Sequence, residues 1–290
     1  MNLQASKRDS LNQFLLPLVS VLILGLISWP VWLWLWQEWM GNQYYSHGIL
    51  IPLVTIFLIV QRMRNDETFT WQRNQGGIGL IISLIALAIF VVFFLVALNL
   101  KAYYLAAFTM IGMIMALIRF FGGATAFNKL LFPLGYLVLM VPLPFIERST
   151  LPLALFTGVC SGGLAQFLGM DITIIGNSVT LPNADLVIGA QCSGINSLIA
   201  LTALTALAAY LVDGPLWSKV LLVLLAVPMA LVTNILRVSS LLFVARNLGA
   251  EAGFIFYHDY SGPIFFVLAM ILLYPLARLL QFRNLRLDVI

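Results

Sequence analysis

The chain has 290 residues, 62% of them hydrophobic and only 9% charged, with a net charge of +4. Soluble domains are roughly half apolar and about a quarter charged, so this balance excludes an ordinary globular protein. The basic residues sit at the ends of apolar stretches, which argues against a nucleic-acid surface and marks them as orientation signals.

The apolar residues fall into successive stretches of about 20, the length that crosses about 30 Å of hydrocarbon. In chain order, spans are predicted near 14–36, 49–61, 78–98, 102–119, 130–146, 195–211, 217–236 and 263–280. The first is longer than the apolar part of a signal peptide and no small-residue cleavage site follows it, so it reads as a retained span. Tryptophans at 29, 32, 34, 36 and 39 form an aromatic belt at its outer end. The second is short unless it begins within Tyr44-Tyr45-Ser46-His47. No linker rich in Ser, Gly or Pro and no internal repeat divides the chain, so residues 1–290 read as one membrane domain.

Lys and Arg set the orientation. With the N-terminus inside, Lys7, Arg8, Arg62, Arg64, Arg73, Arg119, Lys129, Lys219, Arg278, Arg283 and Arg286 are eleven basic residues inside. Only Lys101, Arg148, Arg237 and Arg246 are left outside. The apolar stretch 151–170 must then remain on the outer side as a re-entrant or interfacial helix, because a further crossing would carry the Arg-rich tail out. The expected fold is an all-α polytopic membrane protein with eight transmembrane helices, N-terminus and C-terminus cytoplasmic. Between helices five and six, two β-prone runs flank Gly176-Asn177-Ser178 and predict a small extracytoplasmic β-hairpin. It leads into Gln191-Cys192-Ser193-Gly194, where the chain turns back into the membrane.

This topology gathers three unusual side chains at the outer interface. Cys192 opens the sixth span, Arg237 in Asn234-Ile-Leu-Arg237-Val-Ser lies at the outer end of the seventh, and His258 in Tyr257-His258-Asp259-Tyr260-Ser261-Gly262 precedes the eighth. An ionisable residue among apolar spans is costly and therefore a functional candidate. A thiol at a helix N-terminus beside a cation is favoured as the thiolate, the nucleophilic form. His258 is placed to take its proton and return it to a leaving amine. Arg237, always charged and with several fixed donors, suits a developing oxyanion. Asn234 and Asp259 are candidates to orient the imidazole, Ser193 adjoins the thiol, and His47 is a second candidate base or a substrate contact. Each residue also has a bland reading: a packing cysteine, a headgroup-anchoring arginine, a solvated histidine. Convergence at one face favours the site.

Two cysteines are too few for a disulfide framework. A Cys160–Cys192 pair on the outer side would remove the thiol mechanism. Gly158-Val-Cys160-Ser161-Gly162-Gly163 is similar to the Gly-x-Ser-Gly pattern of rhomboid serine proteases, but it falls in a stretch read as not spanning. No pattern resembles a metal or nucleotide site, so no metal and no cofactor are expected. Two other classes stay open. One is a transporter or polysaccharide-export protein that uses Arg237 and His258 in an ion path. The other is a non-catalytic membrane scaffold.

Four motifs carry a resemblance. They are Tyr45-Ser46-His47-Gly48, Cys192-Ser193-Gly194-Ile195-Asn196-Ser197-Leu198, Asn234-Ile-Leu-Arg237-Val, and His258-Asp259-Tyr-Ser-Gly262. Over nearly its whole length the chain resembles the exosortases, bacterial relatives of the archaeosortases. The resemblance implies a membrane cysteine protease of transpeptidase type in the bacterial cytoplasmic (inner) membrane, its active site on the extracytoplasmic side. It maps the family's Cys, Arg and His onto Cys192, Arg237 and His258. The implied partners are exported proteins with a PEP-CTERM-type C-terminal sorting signal: a Pro-Glu-Pro motif, a transmembrane helix and a basic cluster. Arg237 or Arg148 would read the substrate glutamate, an amine or water would accept the acyl group, and membrane lipid but no nucleic acid would be bound. The family is linked to exopolysaccharide production. The chain ends soon after the eighth span, so the C-terminal domain fused to some relatives is not expected.

Overall fold

A computed structural model describes residues 16–17, 19–71, 77–176, 178–182, 184–282, 284–286 and 289. Lys7, Arg8, Arg73, Asn177 and Arg283, which the orientation and hairpin arguments use, lie outside the described residues. The chain divides into two compact units, the first running to Pro142 and the second Leu143–Arg286.

In the first unit, α1 (Val19–Ile27) and α2 (Trp29–Gly41) meet at a bend of 63°. The sequence gives the reason. Pro30 has no N–H to continue the ladder of α1, and its ring clashes with the carbonyl one turn back, so the helix restarts. At the break, the Ser28 hydroxyl donates back to the Leu24 carbonyl at 2.6 Å. The first predicted span is therefore a broken one. A tight turn, Ser46–Ile49, leads into α3 (Leu50–Asn65), followed by α4 (Gly77–Asn99) and α5 (Tyr103–Tyr136), which Leu137–Met140 extends.

The backbone of α5 reverses at Gly123, where φ is +76° and ψ is −176°, a conformation that favours glycine. Contacts along α3 show the reversal. Met140 accepts a hydrogen bond from the Trp39 indole at 3.0 Å, and Trp39 packs on Gly48 at the start of α3. The Pro133 carbonyl accepts from Thr55 halfway along α3 at 3.2 Å. Lys129 pairs at 2.8 Å with Asp66, which follows the end of α3, and Gly122 lies against Trp71 nearby. At the other end, the Tyr103 ring stacks on Trp34 at 6.0 Å. The two arms, 103–122 and 124–140, thus run in opposite directions, as the separate stretches 102–119 and 130–146 predict. The second arm ends at Met140, short of 146, because Pro142 and Pro144 interrupt the helix.

The second unit opens with α6 (Pro144–Phe167), which begins well before the predicted stretch 151–170. Its length of 24 residues is sufficient for a crossing. A three-stranded antiparallel sheet follows: β1 (Thr173–Ile175), β2 (Ser178–Leu181) and β3 (Ala184–Val187). The predicted hairpin pairs Ile175 with Ser178 across its turn, and a second turn at Pro182 adds β3, pairing Leu181 with Ala184. A short turn, Ala190–Ser193, enters α7 (Ile195–Leu211), and then come α8 (Leu216–Leu248), α9 (Ala250–Ile255), a π-helical turn Phe256–Ser261 and α10 (Gly262–Leu279).

Among the described residues, seven helices are long and apolar enough to cross a membrane, with the two arms of 103–140 counted as one, or eight if the bent α1–α2 pair counts as one span. The molecule is mostly helical with one small sheet.

α8 has 33 residues, about 50 Å at 1.5 Å per residue, and outruns the hydrocarbon. Its first half packs Leu222, Ala226 and Ala230 against Leu201, Ala269 and Leu273 of α7 and α10. Its last turns carry Val238, Leu241, Leu242 and Ala245 under the sheet residues Val179 and Leu181. That second cover explains why the helix continues past 236. The chain around Leu211–Asp213 pairs with Asn284–Arg286 at one end of the unit, while Cys192 and Tyr257 lie at the other.

In the first unit Asp66 ties the α3–α4 connection to the second arm of α5. Burial by itself would raise its carboxyl. Hydrogen bonds from Lys129 and Thr68, with the Arg62 charge at 3.2 Å, outweigh that and hold it at about 2. A depressed carboxyl contributes stability at neutral pH and loses it as pH falls through the folded value. Asp66→Asn is expected to lower the unfolding temperature in detergent by about 3 °C at neutral pH. The difference from the parent should vanish as pH approaches 2. A gap independent of pH would show that the carboxylate charge is not what holds this connection.

Candidate active site

The site is assembled around the chain entering α7. Gly189 is extended, Ala190–Ser193 makes a single tight turn with the Cys192 N–H on the Gly189 carbonyl at 2.9 Å, and Gly194 takes φ +73° before α7 begins. This left-handed residue has to be glycine for a second reason. A Cβ there would overlap the side chain of Asn234 on α8. From that position the Asn234 amide donates to the Cys192 carbonyl at 2.8 Å and to the Thr157 hydroxyl of α6 at 3.2 Å. Ser193 is buried and its hydroxyl accepts from the Ile195 N–H at 3.4 Å, at the first turn of α7.

α6 and α8 run side by side in the same direction here. The Ser161 hydroxyl donates to the Ile235 carbonyl at 3.0 Å, and Ser239 donates to the Ser161 carbonyl at 3.3 Å. Ser161 is thus a fully buried helix–helix tie rather than a rhomboid-like nucleophile. Gly158 and Gly162 leave room for Ile188 and Ile174 of the sheet region. Cys160 and Cys192 are both free thiols, so no disulfide joins them.

Cys192 is buried, 7% exposed, in an apolar cluster to which Ile172, Ile188, Val238 and Leu242 also belong. The titratable and charged groups that act on it are Tyr257, which packs in the same buried cluster, and the Arg237 guanidinium. The Tyr257 hydroxyl also donates to the Gln191 carbonyl at 3.1 Å. Arg237 lies 4.1 Å over the Tyr257 ring, a cation–π contact. Its Nε donates to Ser261 Oγ at 2.8 Å and its Nη2 to the Tyr257 carbonyl at 3.4 Å, while Ser261 donates to that same carbonyl at 2.6 Å. Arg237 therefore fastens the π-turn to α8.

Tyr257 links Cys192 and Arg237, with the guanidinium over its ring and the cysteine in its buried cluster. His258 follows Tyr257 on the same turn, but its side chain is 75% exposed. Its Nδ1 lies 2.7 Å from Asp259 Oδ1 and its ring stacks on Phe254 at 6.1 Å. Of the two candidate orienting groups, Asp259 contacts the imidazole and Asn234 holds the cysteine turn. Arg148 is exposed near the start of α6, about 13 Å along the axis from Thr157, and makes no contact with Cys192, Arg237 or Tyr257 among the described residues. His47 belongs to the first unit, where its ring stacks on Tyr45 at 6.2 Å and its buried Nε2 has no hydrogen-bond partner among the described residues. Also among the described residues, no three His, Cys, Asp or Glu side chains gather as a metal site.

Tyr257, Ser261 and Thr157 are the functional neighbours that sequence reasoning missed. Tyr257 adjoins His258 in an aromatic run, and only its contact with a thiol 65 positions earlier sets it apart.

The family model of the transmembrane exosortases (Exosortase_EpsH) matches residues 36–275, most of the chain. The chain belongs to that family. The match takes in Cys192, Arg237, Tyr257 and His258, together with the chain from α2 into α10. No curated protein and no solved structure matches the chain. An exosortase-family chain is a membrane protein, in keeping with the long apolar helices of both units.

The Gly194–Asn234 contact predicts coupled substitutions in this exosortase-family protein. Asn234→Ala leaves the Cys192 carbonyl without its donor and should destabilise by about 1–3 kcal/mol. Gly194→Ala adds a left-handed penalty of about 1–2 kcal/mol to the overlap with Asn234. In the double variant the overlap is gone, so its cost in thermal unfolding should be well below the sum of the single costs. Additive costs would mean that the two residues do not share this space.

Proposed function

We propose that this exosortase-family protein is a membrane-embedded cysteine peptidase of transpeptidase type that cleaves C-terminal sorting signals of the PEP-CTERM type from exported proteins. The observation that carries the reading is the juxtaposition of the Cys192 thiol with Arg237 and the Tyr257–His258 turn at one end of the helical unit. In this reading Cys192 is the nucleophile, His258 the general acid and base, and Arg237 the cation that steadies the oxyanion. The excess of Lys and Arg predicted on the opposite side supports placing this end at the extracytoplasmic face of the bacterial inner membrane.

The chemistry runs as an acyl transfer. His258, swung inward about its own side-chain torsions from the exposed rotamer that Asp259 holds, takes the Cys192 proton as Sγ attacks the scissile carbonyl carbon. The carbonyl oxygen becomes an oxyanion beside the Arg237 guanidinium, whose Nη1 faces no partner among the described residues. As the carbon–nitrogen bond breaks, His258 returns the proton to the leaving amine, and a thioester remains on Cys192. An amine or water then attacks the thioester with His258 again accepting a proton, and Sγ leaves and is reprotonated. The substrate's transmembrane helix would lie in the bilayer against the bundle, with its Pro-Glu-Pro segment emerging at the thiol. Asn234 and Ser193 support the turn that bears the nucleophile, and neither touches substrate in this scheme.

Co-expression with a sorting-signal substrate tests the reading. Cys192→Ala should insert and accumulate normally yet leave the substrate uncleaved, and His258→Ala should slow processing at least about 100-fold. Arg237→Lys should also lose activity, because lysine cannot reproduce a fork that spans Ser261 and Tyr257. Mass spectrometry of the parent with substrate should find an acyl adduct on Cys192. Normal processing by Cys192→Ala would overturn the assignment.

A further inference from the structure

We infer that Tyr257 is a further catalytic residue, whose hydroxyl turns from the Gln191 carbonyl to the Cys192 sulfur and stabilises the thiolate as it forms. The inference rests on the reading of Cys192 as the nucleophile and adds a residue to it.

The hydroxyl has one proton and two lone pairs. In the structure the hydroxyl donates to the Gln191 carbonyl at 3.1 Å, one residue before Cys192, and Tyr257 packs in the same buried cluster as the thiol. With its proton committed to Gln191, the oxygen can meet the thiol only as an acceptor. Once a base removes the thiol proton, the geometry inverts. Sulfur becomes a charged acceptor, and a charge-assisted hydrogen bond is about twice as strong as the neutral one to a carbonyl. Rotation about the Tyr257 C–O bond, which moves no heavy atom, carries the proton from Gln191 to Sγ. When sulfur then bonds to carbon its charge is spent and the hydroxyl returns to Gln191. No proton is lost from Tyr257 at any point, so the balance of the acyl transfer is unchanged.

The surroundings make this donor hard to replace. The titratable and charged groups facing the thiol are Tyr257 from the π-turn and Arg237 from α8. The rest of the wall is aliphatic: Ile172 and Ile188 from the sheet region, Val238 and Leu242 from α8. His258 and Asp259, on the same turn, contact each other and face outward. Arg237 spends Nε and Nη2 on Ser261 and the Tyr257 carbonyl and presents the face of its guanidinium to the ring. It contributes charge near the sulfur, while the directed hydrogen bond comes from Tyr257.

The test reads the thiol and needs no substrate. In a Cys160→Ala background, so that Cys192 is the single cysteine, alkylation by iodoacetamide is followed against pH in detergent. Tyr257→Phe keeps the ring under Arg237 and removes only the hydroxyl. At a fixed pH below the alkylation midpoint it should react about tenfold more slowly than the parent, the size expected for a hydrogen bond to a charged group. Replacement of Tyr257 by 3-fluorotyrosine, a better donor of nearly the same shape, should move the profile the opposite way. Opposite shifts support the inference. Identical profiles for all three proteins overturn it, as does equal slowing by both replacements, which would mean that only packing was disturbed. Should Tyr257→Phe unfold, the 3-fluorotyrosine profile decides alone. Failure of Cys192 as nucleophile would appear instead as substrate processing by Cys192→Ala, a separate measurement.

Discussion

The carboxamide of Asn234 occupies the space that any side chain at Gly194 would need, and from there it donates to the Cys192 carbonyl and the Thr157 hydroxyl. A buried amide whose donors go unpaired costs about 1–3 kcal/mol, so these bonds select one relative placement of α6, α8 and the turn before α7. The placement is close-fitting because it depends on absent atoms as much as on present ones. Gly194 admits the amide, Gly158 admits Ile188, and Gly162 admits Ile174. The sulfur is thereby carried on a backbone that cannot shift along α8 without losing hydrogen bonds.

Arg237 provides the second fixed point. A guanidinium at this depth is tolerated when its donors are met, and here one hydroxyl, one carbonyl and one aromatic face meet it. All three belong to the π-helical turn between α9 and α10. π-turns insert an extra residue into a helix and often mark functional sites. In this one the consequence is that Tyr257 looks inward to the thiol while His258, one residue later, looks outward to Asp259. Arginine thus has a structural duty alongside any role at an oxyanion, and losing it would displace the whole turn.

Much of this was legible in the sequence, and the reasons are specific. The spans were readable because hydropathy and length act over whole stretches. The reversal in α5 was readable because two apolar runs flank Gly122-Gly123. Pro30 marks the bend between α1 and α2, and Pro182 the turn into the third strand. Cys192, Arg237 and His258 stood out as rare types among apolar residues. Tyr257 did not, since an aromatic residue beside other aromatics in a membrane protein carries no local signal. The outward rotamer of His258 was hidden as well, because the neighbour that holds it is Asp259 and the choice of rotamer depends on packing, not on spacing. The continuation of α8 past Arg237 depended on the sheet that covers its last turns, a contact between segments about 60 positions apart.

What remains is why a thiol proposed as a nucleophile should sit in so apolar a cluster. Aliphatic neighbours give sulfur no hydrogen bond, and a charge among them is poorly solvated, so reactivity is governed by the few polar groups that reach it. Here those groups are Tyr257 and Arg237, and both are tied to the same six-residue turn. The position of that turn is set in its turn by Ser261 and by the end of α10 that it begins. Sulfur chemistry and helix packing are therefore not separable in this unit. In the proposed reaction, a substrate helix that pressed on α10 or α8 would act on the turn, and through it on the two polar groups that act on the sulfur. Such apolar surroundings would, in that reaction, also keep bulk water from a thioester on Cys192 and leave time for an incoming amine. Under the proposed function, the apolar setting of Cys192 is then a condition for transfer chemistry, with the turn supplying the polar partners at the moment of attack.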